Sequence, residues 1–565
     1  MLIMDIKDLP ENWDIVIVGG GITGAGIFRE AVRMGLKVLL VERMDYAWGT
    51  SSRSSKLVHG GLRYLGEGQI LMTKACVEER ERLLNEAPGL VELLGFLMPV
   101  YKDQKPGKKI LNAGLALYDL MAREKRHKFY GAHEFSMMAP HIKQEGLIGG
   151  FRFFDAQVDD ARLVLRLINE GVESGGCALN YTSVIEIRRN ERGEVIGVVV
   201  EDTETQLRKT LSAAAVINAT GPQAEELHPS PEPKRHIRPL RGSHLVFPSW
   251  VLPVAQAMCF VHPRDNRMVF VIPWEGAVLF GTTDVDHMGD ISEEPAITEE
   301  EITYLMEGLR TFFPSLDISL DNCISTFAGI RPVLSEGEAA PSEESRDHVV
   351  WEDKGLVTIT GGKLTTFRRL AWDALKAVRP FLPSDQVPGK NDPVFSVVPE
   401  RPKEDYGLSL HMWERLYGRY GKAAEELVAM ASPDDLTPIP GTCTLWAEIP
   451  FAAKHEQVRH LADLLLRRVR IGLLTPWGGK EYIDRIKKIC QSVLPWDDRR
   501  WNEEIDMYMS LWMRSYALPG KEVPIIAKRE GFFSRSLDFL ETLFPRCFRV
   551  VRTLAGRLKI YLRMR

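Results

Sequence analysis

Residues 14 to 43, DIVIVGGGITGAGIFREAVRMGLKVLLVER, constrain this chain more than any other stretch. Asp14 to Val18 is a short apolar run that reads as a buried parallel strand, and Lys37 to Val41 reads as a second. The segment between them carries helical apolar spacing that stops at Gly35. Strand, helix and strand make a βαβ unit. Between the first strand and the helix stand Gly19, Gly21 and Gly24 in GxGxxG spacing. Without side chains the turn can be tight, and its backbone N–H groups can approach a pyrophosphate at the helix N-terminus. Glu42 closes the second strand, where a carboxylate can accept a hydrogen bond from a ribose 2′-hydroxyl. The unit therefore predicts a dinucleotide with an unphosphorylated adenosine ribose.

The fingerprint leaves nicotinamide and flavin dinucleotides open. The next stretch narrows the choice. GTSSRSSKLVHGGLRYL, residues 49 to 65, is a hydroxyl-rich loop that can wrap a phosphate chain and bring backbone close to a flat ring. A flexible serine loop is the plainer reading of the same residues. The chain returns at AAVINATGP, residues 214 to 222, an apolar strand running into Ala219, Thr220 and Gly221. LVTITGGKLTTFRRLAWDAL then sets Gly361 and Gly362 directly before a helix, whose N-terminus could stabilise negative charge on a reduced flavin. No second GxGxxG is present, so exchange of electrons with NAD(P) on this chain is not expected.

Composition excludes several classes. At 565 residues, 45% apolar and 26% charged, the chain can build two or more domains around a large core. A net charge of −5 gives no global reason to expect nucleic acid. The seven cysteines are scattered without a CxxC pair, which argues against a disulfide framework or a metal site and for a reducing compartment. MLIMDIKDLPENW lacks a basic region followed by an apolar stretch, and no apolar run approaches the roughly 18 to 20 residues of a membrane span. Membrane contact is expected to be peripheral.

At these residues the chain resembles the FAD-dependent glycerol-3-phosphate dehydrogenases, within the D-amino-acid-oxidase-like flavoproteins. The likeness rests on GGGITGAGI, TSSRSSKLVHGGLRYL, DDARLVL at 159 to 165, NATGP, RGSHLVF at 241 to 247, VFVIPW, GTTDVD at 281 to 286, GIRPV at 329 to 333 and GGKLTTFRRLA. These blocks run in the family's order across about 14 to 380, while about 405 to 515 shows a thin likeness, chiefly LADLLLRRVRIGLL at 461 to 474. The resemblance implies an α/β FAD-binding domain of Rossmann-like βαβ type, an α+β substrate domain with an antiparallel sheet, and a C-terminal all-α domain.

The oxidoreductase part then covers 1–380, with the FAD half at about 1–75, 150–225 and 325–380 and the substrate half at about 76–149 and 226–324. Short runs rich in Val, Phe and Ile between 242 and 282 fit an antiparallel sheet. The segment 381–404 carries five prolines and reads as a linker. Helical spacing returns over 405–520, and 521–565 forms a basic tail.

The resemblance implies FAD contacts from Gly19, Gly21, Ile22, Thr23 and Gly24, and from Glu42 and Arg43 at the strand end. Along the hydroxyl loop it implies Thr50, Ser51, Ser52, Ser54, Ser55 and Lys56, followed by His59, Gly60, Gly61 and Leu62. Val184, Ala219, Thr220 and Gly221 come next, then Gly329, Arg331, Gly362, Lys363, Leu364 and Thr365.

A flavin oxidising a secondary alcohol takes hydride at N5 while another group accepts the hydroxyl proton, and a phosphorylated substrate needs cationic donors. Arg63, Tyr64, Arg346 and Lys363 are the expected substrate contacts; taken singly, an arginine reads as a surface ion pair. His244 is the leading proton acceptor, with Arg331 its catalytic rival. His59 is assigned to the cofactor, and Thr282, Thr283 and Asp284 to the shape of the site.

Residues 521 to 565 hold eleven Lys or Arg against four acids, a surplus of +7. From about 546, helical projection gathers Val550, Val551, Leu554, Leu558, Tyr561 and Leu562 opposite Arg549, Arg552, Lys559 and Arg563. Such a helix can lie in a lipid interface or dock on its own protein.

The expected reaction is oxidation of sn-glycerol 3-phosphate to dihydroxyacetone phosphate, with electrons passed through FAD to a membrane quinone. An O2-using oxidase, or oxidation of an amino acid or 2-hydroxy acid, is the alternative, and an FAD-containing binding module a remote one. The expected partners are a small phosphorylated polyol, the quinone and a membrane surface met by the tail, with no nucleic acid; a homo-oligomer stays open. The expected location is the cytoplasmic side of the inner or plasma membrane, or otherwise the cytoplasm.

Overall fold

The first apolar run forms the strand Asn12–Val18, in which Ile15, Val16 and Ile17 are fully buried. Val38–Val41 pairs with it in parallel on one side and Arg208–Asn218 on the other. Cover on both faces explains why its sequence is continuously apolar rather than alternating. The computed structural model describes residues 5–66, 68–102, 104–228, 236–335, 347–383, 389, 392–399, 402 and 404–521. Leu356–Gly361 and Cys177–Leu179 extend the parallel core at its two ends. Val195–Asp202, Thr182–Arg189 and His348–Asp353 join it through antiparallel pairings. The helix Ile22–Arg33 packs against Asp160–Glu173 and Phe367–Val378, so three distant segments close one core around Ile27, Phe28, Leu163 and Leu370.

A second sheet holds ten of the described strands. Its spine runs from His236–Pro248 through Ala277–Gly281, Met268–Trp274 and Ala257–Val261 to Val91–Tyr101 and Leu147–Val158. The antiparallel run expected over 242 to 282 is present, but Ala257–Val261 meets Val91–Tyr101 in parallel. Leu147–Val158 and Ser325–Ser335 lie wholly in this second sheet, although the sequence division puts most of both in the FAD half. Leu57–Val58 belongs to it too, so the loop 49–56 runs from one sheet to the other.

The region 405–520 is helical, as expected. Trp413, Leu416, Tyr417 and Tyr420 form a local core, whereas Leu464, Leu465, Trp501, Tyr508 and Trp512 bury in one cluster with Phe96, Phe153 and Phe327 of the second sheet. Burial of one such aromatic side chain contributes about 1.5–3 kcal/mol. Buried charges cross the same boundary. Arg467 and Arg468 both bond Asp45, Arg162 Nη2 lies 2.9 Å from Glu456 Oε2, and Arg419 Nη2 lies 3.0 Å from Asp159 Oδ2. Burial works to raise the Asp45 carboxyl, but Arg468 and Arg467 outweigh it and hold it below the usual carboxylate range. Removing one partner of such a pair costs about 3–5 kcal/mol, because a charge stays buried without its counterion.

Among the described residues no helix is long and apolar enough to cross a membrane, and no cluster of His, Cys, Asp or Glu could hold a metal ion. Arg346 and the amphipathic segment expected from about 546 lie outside the described residues.

Candidate active site

One cavity of about 1430 Å³ is lined from both sheets. That exceeds the roughly 300–1,000 Å³ of an ordinary small-ligand site and leaves room for an extended cofactor beside a substrate. One end is built on the first βα turn. Gly19 has φ +113°, and a Cβ there would stand 2.6 Å from the Ala219 carbonyl oxygen; a Cβ on Gly24 would stand 1.9 Å from the Gly19 carbonyl oxygen. Neither position accepts a side chain, so turn, helix and strand close around the space where a phosphate meets a helix N-terminus.

Gly21, Ile22, Thr23 and Arg43 line this end, with Val184, Ala219, Thr220 and Gly221 opposite. Glu42 lines it as well, accepting from Gly20 N at 2.7 Å and Met44 N at 2.9 Å. Desolvation raises its pKa against the pull of these two bonds. A carboxylate has about four acceptor sites, so about two are left for a ribose hydroxyl.

The loop 49–56 forms the middle of the wall. Thr50, Ser51, Ser54 and Ser55 line the cavity, and Ser51 Oγ accepts from Ile22 N at 2.9 Å, which fastens the loop to the helix N-terminus. Ser52 and Lys56 do not line it. Lys56 Nζ turns inward to Asp160 Oδ2 at 2.8 Å and Ser52 O at 2.6 Å. Burial brings the Lys56 ammonium down to about 7, with Asp160 opposing the shift. Gly24, Gly60 and Gly61 also stand behind the wall; Gly60 N donates at 2.9 Å to Asp155, which Arg80 holds at 2.8 Å.

Cations from several distant segments line the same cavity. Arg63, Tyr64, Lys363 and Arg331 all line the cavity, beside Leu62, Gly329, Gly362, Leu364 and Thr365. Lys363 Nζ sits 3.5 Å from the centre of the Tyr64 ring, a cation–π contact that orders both side chains. Arg331 donates to Asp284 Oδ1 at 2.8 Å and to Thr282 Oγ1 at 3.0 Å. Arg267, from a hairpin turn, reaches the other Asp284 oxygen at 3.3 Å and also lines the cavity. Arg53 lines it too, in a buried pair with Glu294. No motif marks Arg267; its place depends on a turn between two strands folding over the GTTDVD block.

The two histidines part ways. His59 lines the cavity, and its backbone N–H donates to Thr365 Oγ1 at 3.2 Å, tying HGG to the second glycine turn. His244 is 1% exposed and off the wall, stacked on Phe327 with ring centres 4.6 Å apart. Its Nε2 lies 2.9 Å from Ser55 Oγ. Burial, then Arg331 and Lys56, push its pKa well below the ordinary 6.5 and keep it neutral near pH 7. Its hydrogen bond toward the cavity runs through Ser55, and its charge state depends on Arg331 on the wall.

A nucleotide sheet and a second sheet that jointly wall one cavity, with a glycine turn and a set of cations in its lining, define a dinucleotide-dependent enzyme. The chain belongs to the family of FAD-dependent oxidoreductases, whose model matches residues 14–368. A model of the C-terminal domain of alpha-glycerophosphate oxidase matches residues 394–501. The chain is 33% identical over 520 residues to an aerobic glycerol-3-phosphate dehydrogenase of Staphylococcus haemolyticus, covering 87% of this chain and 93% of that one. A solved glycerol-3-phosphate dehydrogenase from Bacillus halodurans, complexed with FAD, superposes with TM-score 0.71 at 26% identity, over 91% of this chain and 97% of that one. L-alpha-glycerophosphate oxidase of Mycoplasma pneumoniae with FAD bound, at 19% identity and TM-score 0.54, covers 69% of this chain and 100% of its own, and shares the fold. The residues here fit FAD: the positions where a Cβ would collide lie where the backbone must close on a pyrophosphate, and the cavity continues past them.

Proposed function

We propose that this chain oxidises sn-glycerol 3-phosphate to dihydroxyacetone phosphate and that its electrons leave to a membrane quinone. One observation carries the substrate class: Arg63, Lys363, Arg331 and Arg267 all line this one cavity, and Asp284 bridges the last two from behind. Guanidinium forks and a lysine in one lining suit the several oxygens of a phosphate dianion better than the single carboxylate of an amino acid or 2-hydroxy acid. The family and the names of the relatives agree with this choice. When bound, FAD supplies the two-electron acceptor that alcohol oxidation needs.

The chain's own residues supply the rest. The guanidiniums and Lys363 hold the phosphate and fix the carbinol carbon. His59, the described histidine on the cavity wall, takes the hydroxyl proton, and His244 orients Ser55 from behind. Tyr64, pressed by Lys363, closes the substrate end to water.

An exposed apolar face supports the lipophilic acceptor. On the helix Lys108–Ala122, Ile110, Leu117 and Leu120 point outward, ringed by Lys105, Lys108, Lys109 and Arg123. Ile110 and Leu117 also line the cavity, so its mouth opens onto this face. Apolar side chains with basic neighbours match an anionic lipid surface.

The test is anaerobic: add glycerol 3-phosphate, lactate or alanine to the holoprotein and follow bleaching of the visible absorption of the oxidised flavin. Glycerol 3-phosphate alone should bleach it. Bleaching by lactate or alanine in its place would overturn the substrate. Reoxidation by a soluble quinone faster than by O2 is expected; the reverse order would assign an oxidase.

A further inference from the structure

We infer that Arg470, from the C-terminal helical region, is a positioning residue of the FAD site, whose guanidinium anchors the hydroxyl loop that lines the cavity. Arg470 Nη2 donates to Ser52 O at 2.8 Å and to Asp160 Oδ1 at 3.0 Å. From the other side Lys56 Nζ donates to the same carbonyl at 2.6 Å and to Asp160 Oδ2 at 2.8 Å. Asp160 Oδ2 also accepts Ser54 N at 2.9 Å and Ser54 Oγ at 2.7 Å. One carbonyl and one carboxylate thus gather two cations and the backbone of Ser54.

The side chains of Arg470, Lys56 and Asp160 are 2%, 0% and 0% exposed, so water does not replace a bond that is lost. On either side of the Ser52 carbonyl stand cavity residues: Ser51, whose hydroxyl caps the helix at Ile22, and Ser54 and Ser55. A loop in a binding site is ordinarily its most mobile part. Here its tether comes from 418 residues further along the chain.

Arg470 is itself held. Its Nη1 donates to Leu466 O at 2.8 Å, and its backbone adopts a left-handed φ of 59°, a conformation that persists in a non-glycine residue where the surroundings over-determine it. Arg470 does not line the cavity, so it acts through the loop, on how tightly FAD is held rather than on the oxidised carbon. The helical region is then part of the cofactor site, independently of which alcohol is oxidised.

The experiment follows free-flavin fluorescence as the full-length holoprotein is diluted, giving a dissociation constant for FAD. Arg470→Met is expected to raise it about tenfold or more, as loss of charge-assisted bonds to a buried loop implies. Arg470→Lys, which keeps the charge with a single donor centre, should fall between. Arg162→Met breaks the neighbouring buried pair with Glu456 and a 2.8 Å bond to Arg468 O on the same boundary, without touching the loop; it should lower the melting temperature and weaken FAD binding far less than Arg470→Met does. Should Arg470→Met fail to fold, Arg470→Lys against Arg162→Met decides. Wild-type affinity in the Arg470 variants, or equal weakening by Arg162→Met, overturns the inference. Loss of bleaching by glycerol 3-phosphate would sink the proposed substrate and leave this comparison intact.

Discussion

Asp284 holds Arg331 at 2.8 Å through one oxygen, and its other oxygen lies 3.3 Å from Arg267, so a single fully buried carboxylate aims two guanidiniums of the cavity wall. The carboxylate fixes direction, and the second cation keeps the pair net positive. A dianion entering between them meets donors already oriented, which lowers the entropy lost on binding.

Arg331→Ala should keep its FAD and lose most activity. A charge-assisted hydrogen bond is worth about 1.5–3 kcal/mol, and every 1.4 kcal/mol is tenfold, so kcat/KM should drop about 10- to 100-fold. Arg267→Ala should act mainly on KM for glycerol 3-phosphate. Steady-state kinetics beside the flavin spectrum checks both, and full turnover with unchanged KM in Arg331→Ala would refute its role.

His59→Gln and His244→Gln should separate cleanly. A positioned proton acceptor contributes about 10²- to 10⁴-fold, and His59→Gln should lose kcat on that scale. His244 is off the cavity wall and hydrogen-bonds it through Ser55 at 2.9 Å, so His244→Gln should lose about tenfold, roughly one hydrogen bond's worth. A larger loss in His244→Gln than in His59→Gln would return the proton to His244.

The N-terminal half was legible because its physics is local: a strand buried on both faces reads as an unbroken apolar run, and a turn that excludes Cβ reads as glycine. Sheet membership was not. The strands Leu147–Val158 and Ser325–Ser335 are buried over consecutive residues, as strands covered on both faces are, and such burial does not name the sheet that a strand joins. Lys56 looks like its loop neighbours in sequence, yet its partner Asp160 lies 104 residues away. Arg267 sits in a turn that reads as solvated, and its contact with Asp284 exists only once the hairpin folds. His244 fell on a family block, but which face of His236–Pro248 meets the cavity is set by the strands on either side.

Lys56 predicts a pH dependence of stability. Burial lowers its pKa from 10.5 to about 7, so between these values the unfolded chain binds the proton that the folded chain has released. Stability therefore rises with pH from about 7 toward 10.5, and below 7 the penalty is complete. Thermal unfolding at about pH 7 and pH 9.5, as wild type minus Lys56→Met, isolates the effect. Wild type should gain more on going to the higher pH; equal gains would show that Lys56 is not the titrating group.

The apolar face on Lys108–Ala122 gives the last test. Ile110 and Leu120 are 67% and 72% exposed, and a lipid surface would bury both. Burial of such a side chain is worth about 1.5–3 kcal/mol, and nearby lysines add about 1 kcal/mol each against anionic lipid. Ile110→Glu with Leu120→Glu should therefore cut co-sedimentation with anionic vesicles about 100-fold or more, at 1.4 kcal/mol per tenfold. Turnover with a soluble dye acceptor should fall far less than turnover with quinone in vesicles, because Leu120 is off the cavity wall and Ile110 sits at its mouth. Unchanged sedimentation would move membrane contact away from this helix.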